Sequence, residues 1–106
     1  MPYIAMVAYP DIPGTNFNEK YYVENHLPMV FQHWAQYGLL HWQVVSFDKS
    51  SDGSRTYIAA ASMTWDSAES FNKATTSDSM TMMVDDLKNF SNIQPIFLNG
   101  TVIGFG

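Results

Sequence analysis

Tyr3-Ile4-Ala5-Met6-Val7-Ala8-Tyr9 is a run of seven uncharged residues, closed by Pro10 and again by Pro13-Gly14. A short continuous apolar run between breakers predicts a strand. Successive strand residues point to opposite faces, so Tyr3, Ala5, Val7 and Tyr9 share one side, and Ile4, Met6 and Ala8 the other. Both sides are apolar. Tyr57 to Trp65 repeats the pattern, with Tyr57, Ala59, Ala61 and Met63 opposing Ile58, Ala60, Ser62 and Thr64. A sheet with one face in water shows polar alternation on that face, and these strands lack it.

Between and beyond these strands the signals change period. Asn16 or Asn18 can cap a helix, with Glu19 three residues after Asn16 as a capping-box partner. Tyr21, Tyr22, Val23, Leu27, Val30, Phe31, Trp34 and Tyr37 then recur at steps of three and four, and Gly38 suits the stop. Pro28 lies inside this pattern and removes a backbone donor, which predicts a kink or break near Asn25 to Leu27. His41 to Phe47 reads as a strand, and Asp48 to Arg55 as a turn-rich loop. Asp66-Ser67-Ala68-Glu69 is a helix-starting box with Asp66 as the cap, and that helix should stop at Thr75-Thr76. Ser77 can cap a second piece, Met80 to Phe90. Ile93 to Ile103 is the last strand, interrupted by Asn99-Gly100, with Pro95 where no ladder donor is needed.

The order is β-α-β-β-α-β in an α+β class, a ferredoxin-like split arrangement with a four-stranded antiparallel sheet. The 106 residues make a single domain, 1–106. Two helices cover one sheet face only. The other face needs a cover, and the simplest is the sheet of a second copy, so a homodimer through sheet-on-sheet packing is expected.

Composition narrows the partners. Lys plus Arg number 5 and Asp plus Glu 10, a net charge of −5, which leaves no basic stripe for nucleic acid or for an anionic membrane surface. No apolar stretch approaches the roughly 20 residues that span a bilayer. The N-terminus has no basic segment before its apolar run and reads as a strand, not a signal peptide, so the expected compartment is cytoplasmic. The absence of cysteine removes disulfides, thiolate metal sites and a cysteine nucleophile.

Three histidines titrate near neutrality. His26 and His33 are seven residues apart on the first helix, and Tyr22 is four before His26. Tyr22, His26, Met29 and His33 thus form a stripe beside the apolar face. His26 suits a general acid or base at the rim of a cavity; its plainer reading is a histidine that satisfies a carbonyl freed by Pro28. His33 and His41 read more simply as structural or exposed. The histidine spacing and the lack of a nearby carboxylate argue against a metal, and neither glycine-rich phosphate loops nor a nucleophile elbow are present. Tyr9, Tyr22, Trp34, Tyr37, Trp42, Trp65 and Phe90 supply aromatic surface, most of it core, and with Met80, Met82 and Met83 could wall an apolar pocket for a hydrophobic or aromatic small molecule.

Two blocks resemble a known family. Tyr9-Pro10, Pro13-Gly14-Thr15, Phe17 and Tyr21-Tyr22-Val23-Glu24-Asn25-His26-Leu27-Pro28-Met29-Val30 are similar to the opening signature of EthD-type proteins. Asn89-Phe90-Ser91-Asn92-Ile93-Gln94-Pro95 resembles the signature before their last strand. The resemblance implies the dimeric α/β-barrel fold, with two sheets face to face and one small-molecule cavity per subunit between sheet and helices. It implies Tyr22 and His26 as pocket residues, with Asn25 as a neighbour. Relatives include isomerases and tailoring decarboxylases or dehydratases, while other branches of the superfamily bind haem.

The reading that joins residues and resemblance is a small cofactor-independent lyase or isomerase acting on an aromatic, quinoid or lactone-like metabolite. His26 would shuttle a proton and Tyr22 would hold an oxyanion, with Tyr9, Asn25, His33, Trp34, Trp65 and Phe90 around the substrate and no metal or cofactor. The alternatives are a non-catalytic module that binds a hydrophobic compound, and a haem-binding relative.

Overall fold

The computed structural model describes residues 1–106. Strands β1 (Tyr3–Pro10), β2 (Leu39–Ser46), β3 (Tyr57–Trp65) and β4 (Ile96–Thr101) form one antiparallel sheet in the order β2-β3-β1-β4. This is the βαββαβ order expected above. The two uncharged runs sit side by side at the centre, where Tyr3 faces Trp65 and Val7 faces Ala61.

The first helical segment, α1 (19–37), is continuous but not uniform. Asn18 caps it, its side chain accepting from the Tyr21 N–H at 3.0 Å. An α-turn, Glu19–Tyr21, passes into a π-helical stretch, Tyr22–His26, then into α-helix Leu27–Trp34 and a 3-10 turn, Ala35–Tyr37. The break expected near Asn25 to Leu27 is therefore a widened turn. Pro28 has no N–H and its ring would meet the carbonyl four residues back; wound one residue wider, the chain absorbs this, and the Leu27 N–H bonds to the Tyr22 carbonyl instead. Gly38 ends the segment at φ +122°. A Cβ there would lie 2.6 Å from Asp66 Oδ1.

Helix α2 (Ala68–Thr75) is capped by Ser67, which accepts from the Ser70 N–H at 3.2 Å, and not by Asp66. Helix α3 (Ser79–Asp85) follows and tightens into a 3-10 turn, Asp86–Asn89. Ser77 does not cap it; its hydroxyl bonds the Ala74 carbonyl at the end of α2. The last strand starts later than the sequence suggested, at Ile96 just past Pro95, and Asn99-Gly100 stays in register opposite Ala5 and Ile4.

The helices pack on one sheet face. Ala5, Val7, Tyr9, Ala61, Met63 and Trp65 from the sheet meet Tyr22, Leu27, Val30 and Trp34 of α1, Ala74 of α2 and Met83 of α3. The opposite face carries Ile4, Met6 and Ala8, Ile58, Ala60, Ser62 and Thr64, His41, Gln43 and Val45, and Ile96 and Leu98, with no Asp, Glu, Lys or Arg. Met6, Val45, Ile96 and Leu98 on this face are each at least 40% exposed in the single chain. No helix is long and apolar enough to cross a membrane.

Candidate functional site

An apolar cavity of about 340 Å³ lies between the sheet and α1, α2 and α3. Its floor is Ala5, Val7 and Tyr9 of β1, Met63 of β3, and Phe97 and Asn99 of β4. Tyr22, His26, Leu27, Val30 and Trp34 close one side, and Met80, Met83, Val84 and Leu87 the other.

His26 is 8% exposed, and its imidazole does not stand alone. Nδ1 lies 2.8 Å from Asp86 Oδ2, on the turn after α3. The other carboxylate oxygen accepts from the Tyr21 hydroxyl at 2.8 Å and from the Asn89 side-chain amide at 2.8 Å. Tyr21 and His26 are five residues apart, which a regular helix at 100° per residue would set about 140° apart. The π-helical stretch bonds each residue to the one five back, so residues at that spacing line up. The widened turn thus lets both groups reach one carboxylate.

These contacts fix the protonation states. Burial alone would raise the Asp86 carboxyl, but the bonds from Asn89, His26 and Tyr21 outweigh it and hold its pKa below the usual value. An ionised Asp86 can only accept, so the proton on His26 sits on Nδ1 and Nε2 keeps its lone pair. Burial pushes the imidazole below its ordinary pKa of 6.5, and the hydrogen bond and charge of Asp86 pull it back only in part. Nε2 bonds no protein group. The result is a neutral imidazole, oriented from behind, with its free nitrogen available as a base.

Aromatic rings complete this corner. His26 stacks on Tyr22 with centroids 5.4 Å apart at 12°, and lies 4.6 Å from Phe90. Tyr9 meets Tyr22 edge-on at 5.3 Å. Burial pushes the Tyr9 phenol up to about 12, partly opposed by Tyr22, and lifts Tyr22 well above 10.0, helped by Tyr9. Both therefore stay as O–H donors at any ordinary pH.

Of the residues singled out in the sequence, Tyr9, Tyr22, His26, Trp34 and Phe90 all line the cavity. Asn25, His33 and Trp65 do not. Asn25 is exposed on the outer side of the widened turn. His33 turns its Nδ1 to the Met29 carbonyl of its own helix at 2.9 Å. Trp65 is fully buried between Trp34 and Phe71, and its Nε1 has no hydrogen-bond partner. Asp86 and Tyr21, which hold His26, carry no local signal that points to it. The amides of Gln94 and Asn99, which border the cavity on the β4 side, were likewise missed. No cluster of three or more His, Asp or Glu side chains could hold a metal ion.

The two signature blocks meet beside this corner. Phe17 and Ser91 form a lone antiparallel bridge, and the Asn18 N–H bonds the Phe90 carbonyl at 2.7 Å. The Asn16 N–H donates to Asn92 Oδ1 at 3.0 Å, and the Ser91 hydroxyl to the Asn16 carbonyl at 2.9 Å.

No family model matches the chain, and no curated protein matches it. Solved structures do. The chain has the α+β fold of a dimeric ferredoxin-like protein from an uncultured marine organism, with a TM-score of 0.63 and 13% identity over 100% of this chain and 98% of that one. More narrowly, it has the fold of an EthD-like protein from Ralstonia eutropha, with a TM-score of 0.87 and 24% identity over 97% of this chain and 93% of that one. It is also similar to SnoaB, a cofactor-independent oxygenase from Streptomyces nogalater, with a TM-score of 0.63 and 10% identity over 98% and 93%.

Proposed function

We propose that the protein is a cofactor-independent enzyme of EthD type, a lyase or isomerase that moves a proton on an apolar metabolite. The observation that carries this reading is the His26–Asp86 contact of 2.8 Å, which leaves Nε2 unpartnered on a mostly apolar cavity. A neutral imidazole with a pKa somewhat below 6.5 is a base at neutral pH and a competent acid once protonated. In this reading Tyr22, kept as a phenol by burial and by its contact with Tyr9, would donate to an oxygen that gains charge when a neighbouring C–H or O–H proton leaves. The likeness to a cofactor-independent oxygenase supports chemistry run by side chains alone on this fold. His26→Ala should lower turnover of a responsive substrate about 10²-fold or more, the range for a general acid or base. Full retained activity would remove His26 from the role.

The working unit in this reading is a homodimer whose bare sheet faces pack together. Its support is the uncharged outer face, which no element of the single chain covers, together with the dimeric state of a ferredoxin-like protein of the same fold.

A further inference from the structure

We infer that the cavity takes an uncharged ligand, hydroxyl-bearing at its buried end, and rejects carboxylates. This rests on the cavity being the substrate site and narrows the class of molecule that enters it.

Twenty residues line the cavity, and none is Lys, Arg, Asp or Glu. All five cations of the chain, Lys20, Lys49, Arg55, Lys73 and Lys88, lie outside it. A carboxylate moved into such a space loses its hydration and finds no countercharge, which costs several kcal/mol. His26 is the one lining group able to become a cation, and burial resists that. Asp86 adds a second obstacle. Its charge stands directly behind the imidazole, and it keeps the proton on Nδ1, so Nε2 presents a lone pair. An anionic oxygen at Nε2 would meet lone pair against lone pair. A hydroxyl would donate to it. The net charge of −5 disfavours anions at longer range as well.

The other end of the ligand is set by two neutral amides. Asn99 faces Ala5 across β1 and β4, and Gln94 borders the cavity on the same side. Tyr9, which touches Tyr22 at the His26 corner, is four residues from Ala5 along β1. At about 3.3 Å per strand residue, the two polar ends are about 13 Å apart along the floor. A flat or slender neutral molecule, with a hydroxyl at the deep end and a carbonyl or similar group toward Asn99, fits this pattern. Among lyase and isomerase reactions, it favours dehydration or proton-shift chemistry over loss of CO₂ from a carboxylate held in the cavity.

A matched pair of probes tests this: methyl 6-hydroxy-2-naphthoate and the free 6-hydroxy-2-naphthoate, titrated calorimetrically into the whole protein at neutral pH. The ester should bind at least tenfold more tightly than the acid. Val84→Lys places a cation at an exposed position on the cavity wall and should bring the acid to within threefold of the ester. Equal or tighter binding of the acid to the wild type would overturn the inference, as would no heat from either probe at millimolar concentration. Loss of the proton-transfer reading would look different: turnover indifferent to His26→Ala, with the ester preference intact.

Discussion

Tyr21 and His26, five residues apart on one helix, place hydrogen bonds on the two oxygens of a single carboxylate, Asp86. A regular α-helix would set the two about 140° apart around its axis, a poorer arrangement for one shared partner. The carboxylate in turn decides which imidazole nitrogen keeps its proton, and so links a backbone irregularity to the availability of a base.

The first prediction concerns that link. Asp86→Asn keeps the size of the side chain but can no longer demand a proton on Nδ1. Heteronuclear NMR on the His26 ring should show the Nδ1–H tautomer in the wild type and a mixture in the variant. Turnover should fall by about 10²-fold or more, and the acid limb of its pH profile should move to lower pH, because the carboxylate no longer raises the His26 pKa. An unchanged tautomer would remove Asp86 as a positioning residue.

Acid sensitivity provides a second check. The folded His26 has a pKa below its unfolded value of 6.5, so its neutral form is favoured in the fold. As pH falls below 6.5 the unfolded chain takes up a proton that the fold resists, and stability declines until the folded pKa is passed. Asp86 behaves in the same sense lower down: its contribution is present above 3.8 and is lost as pH falls through its depressed folded pKa. Thermal melts between about pH 7 and pH 5 should therefore show a smaller loss of Tm for His26→Gln than for the wild type. Parallel curves would contradict the burial argument.

Gly38 has a purely structural task. Its φ of +122° and the 2.6 Å gap to Asp66 Oδ1 leave no place for a Cβ. Gly38→Ala should destabilise by about 1–3 kcal/mol and lower Tm by roughly 4 °C or more.

The bare sheet face makes a fourth prediction. Met6 and Leu98 are register partners on β1 and β4, exposed at 41% and 54%. Light scattering should give the mass of two chains for the wild type and of one for the Met6→Lys, Leu98→Lys double variant. A wild type that scatters as one chain at micromolar concentration would end the sheet-on-sheet proposal.

The scaffold was legible because it rests on local signals. Apolar strand runs, the Asn18 cap and Gly38 each report on their own few residues. The face assignments of β1 and β3 followed from the two-residue period alone. The site was legible only on one side. Tyr22 and His26 announced themselves by spacing and residue type, whereas Asp86 is 60 residues from His26 and sits between Asp85 and Lys88 in what reads as an ordinary helical piece, Met80 to Phe90. Pro28 signalled that the helix departs from regularity but not how, since a missing donor can be met by a break or by a wider turn. Trp65 was misplaced for another reason: an aromatic on the inner face of a central strand can meet core or cavity, and only the packing of Trp34 and Phe71 on it decides.

The clasp between residues 14–18 and 90–92 ties the corner that holds His26 to chain segments more than 70 positions apart. Graft experiments would feel this directly: transplanting the opening block alone into another barrel of this type would leave Asn16 and Asn18 facing foreign partners, and the histidine would arrive without its anchorage. Moving both stretches together is the smallest exchange that carries the corner intact. The long loop that must close to form the clasp also implies that, during folding, the strands can pair before this corner assembles.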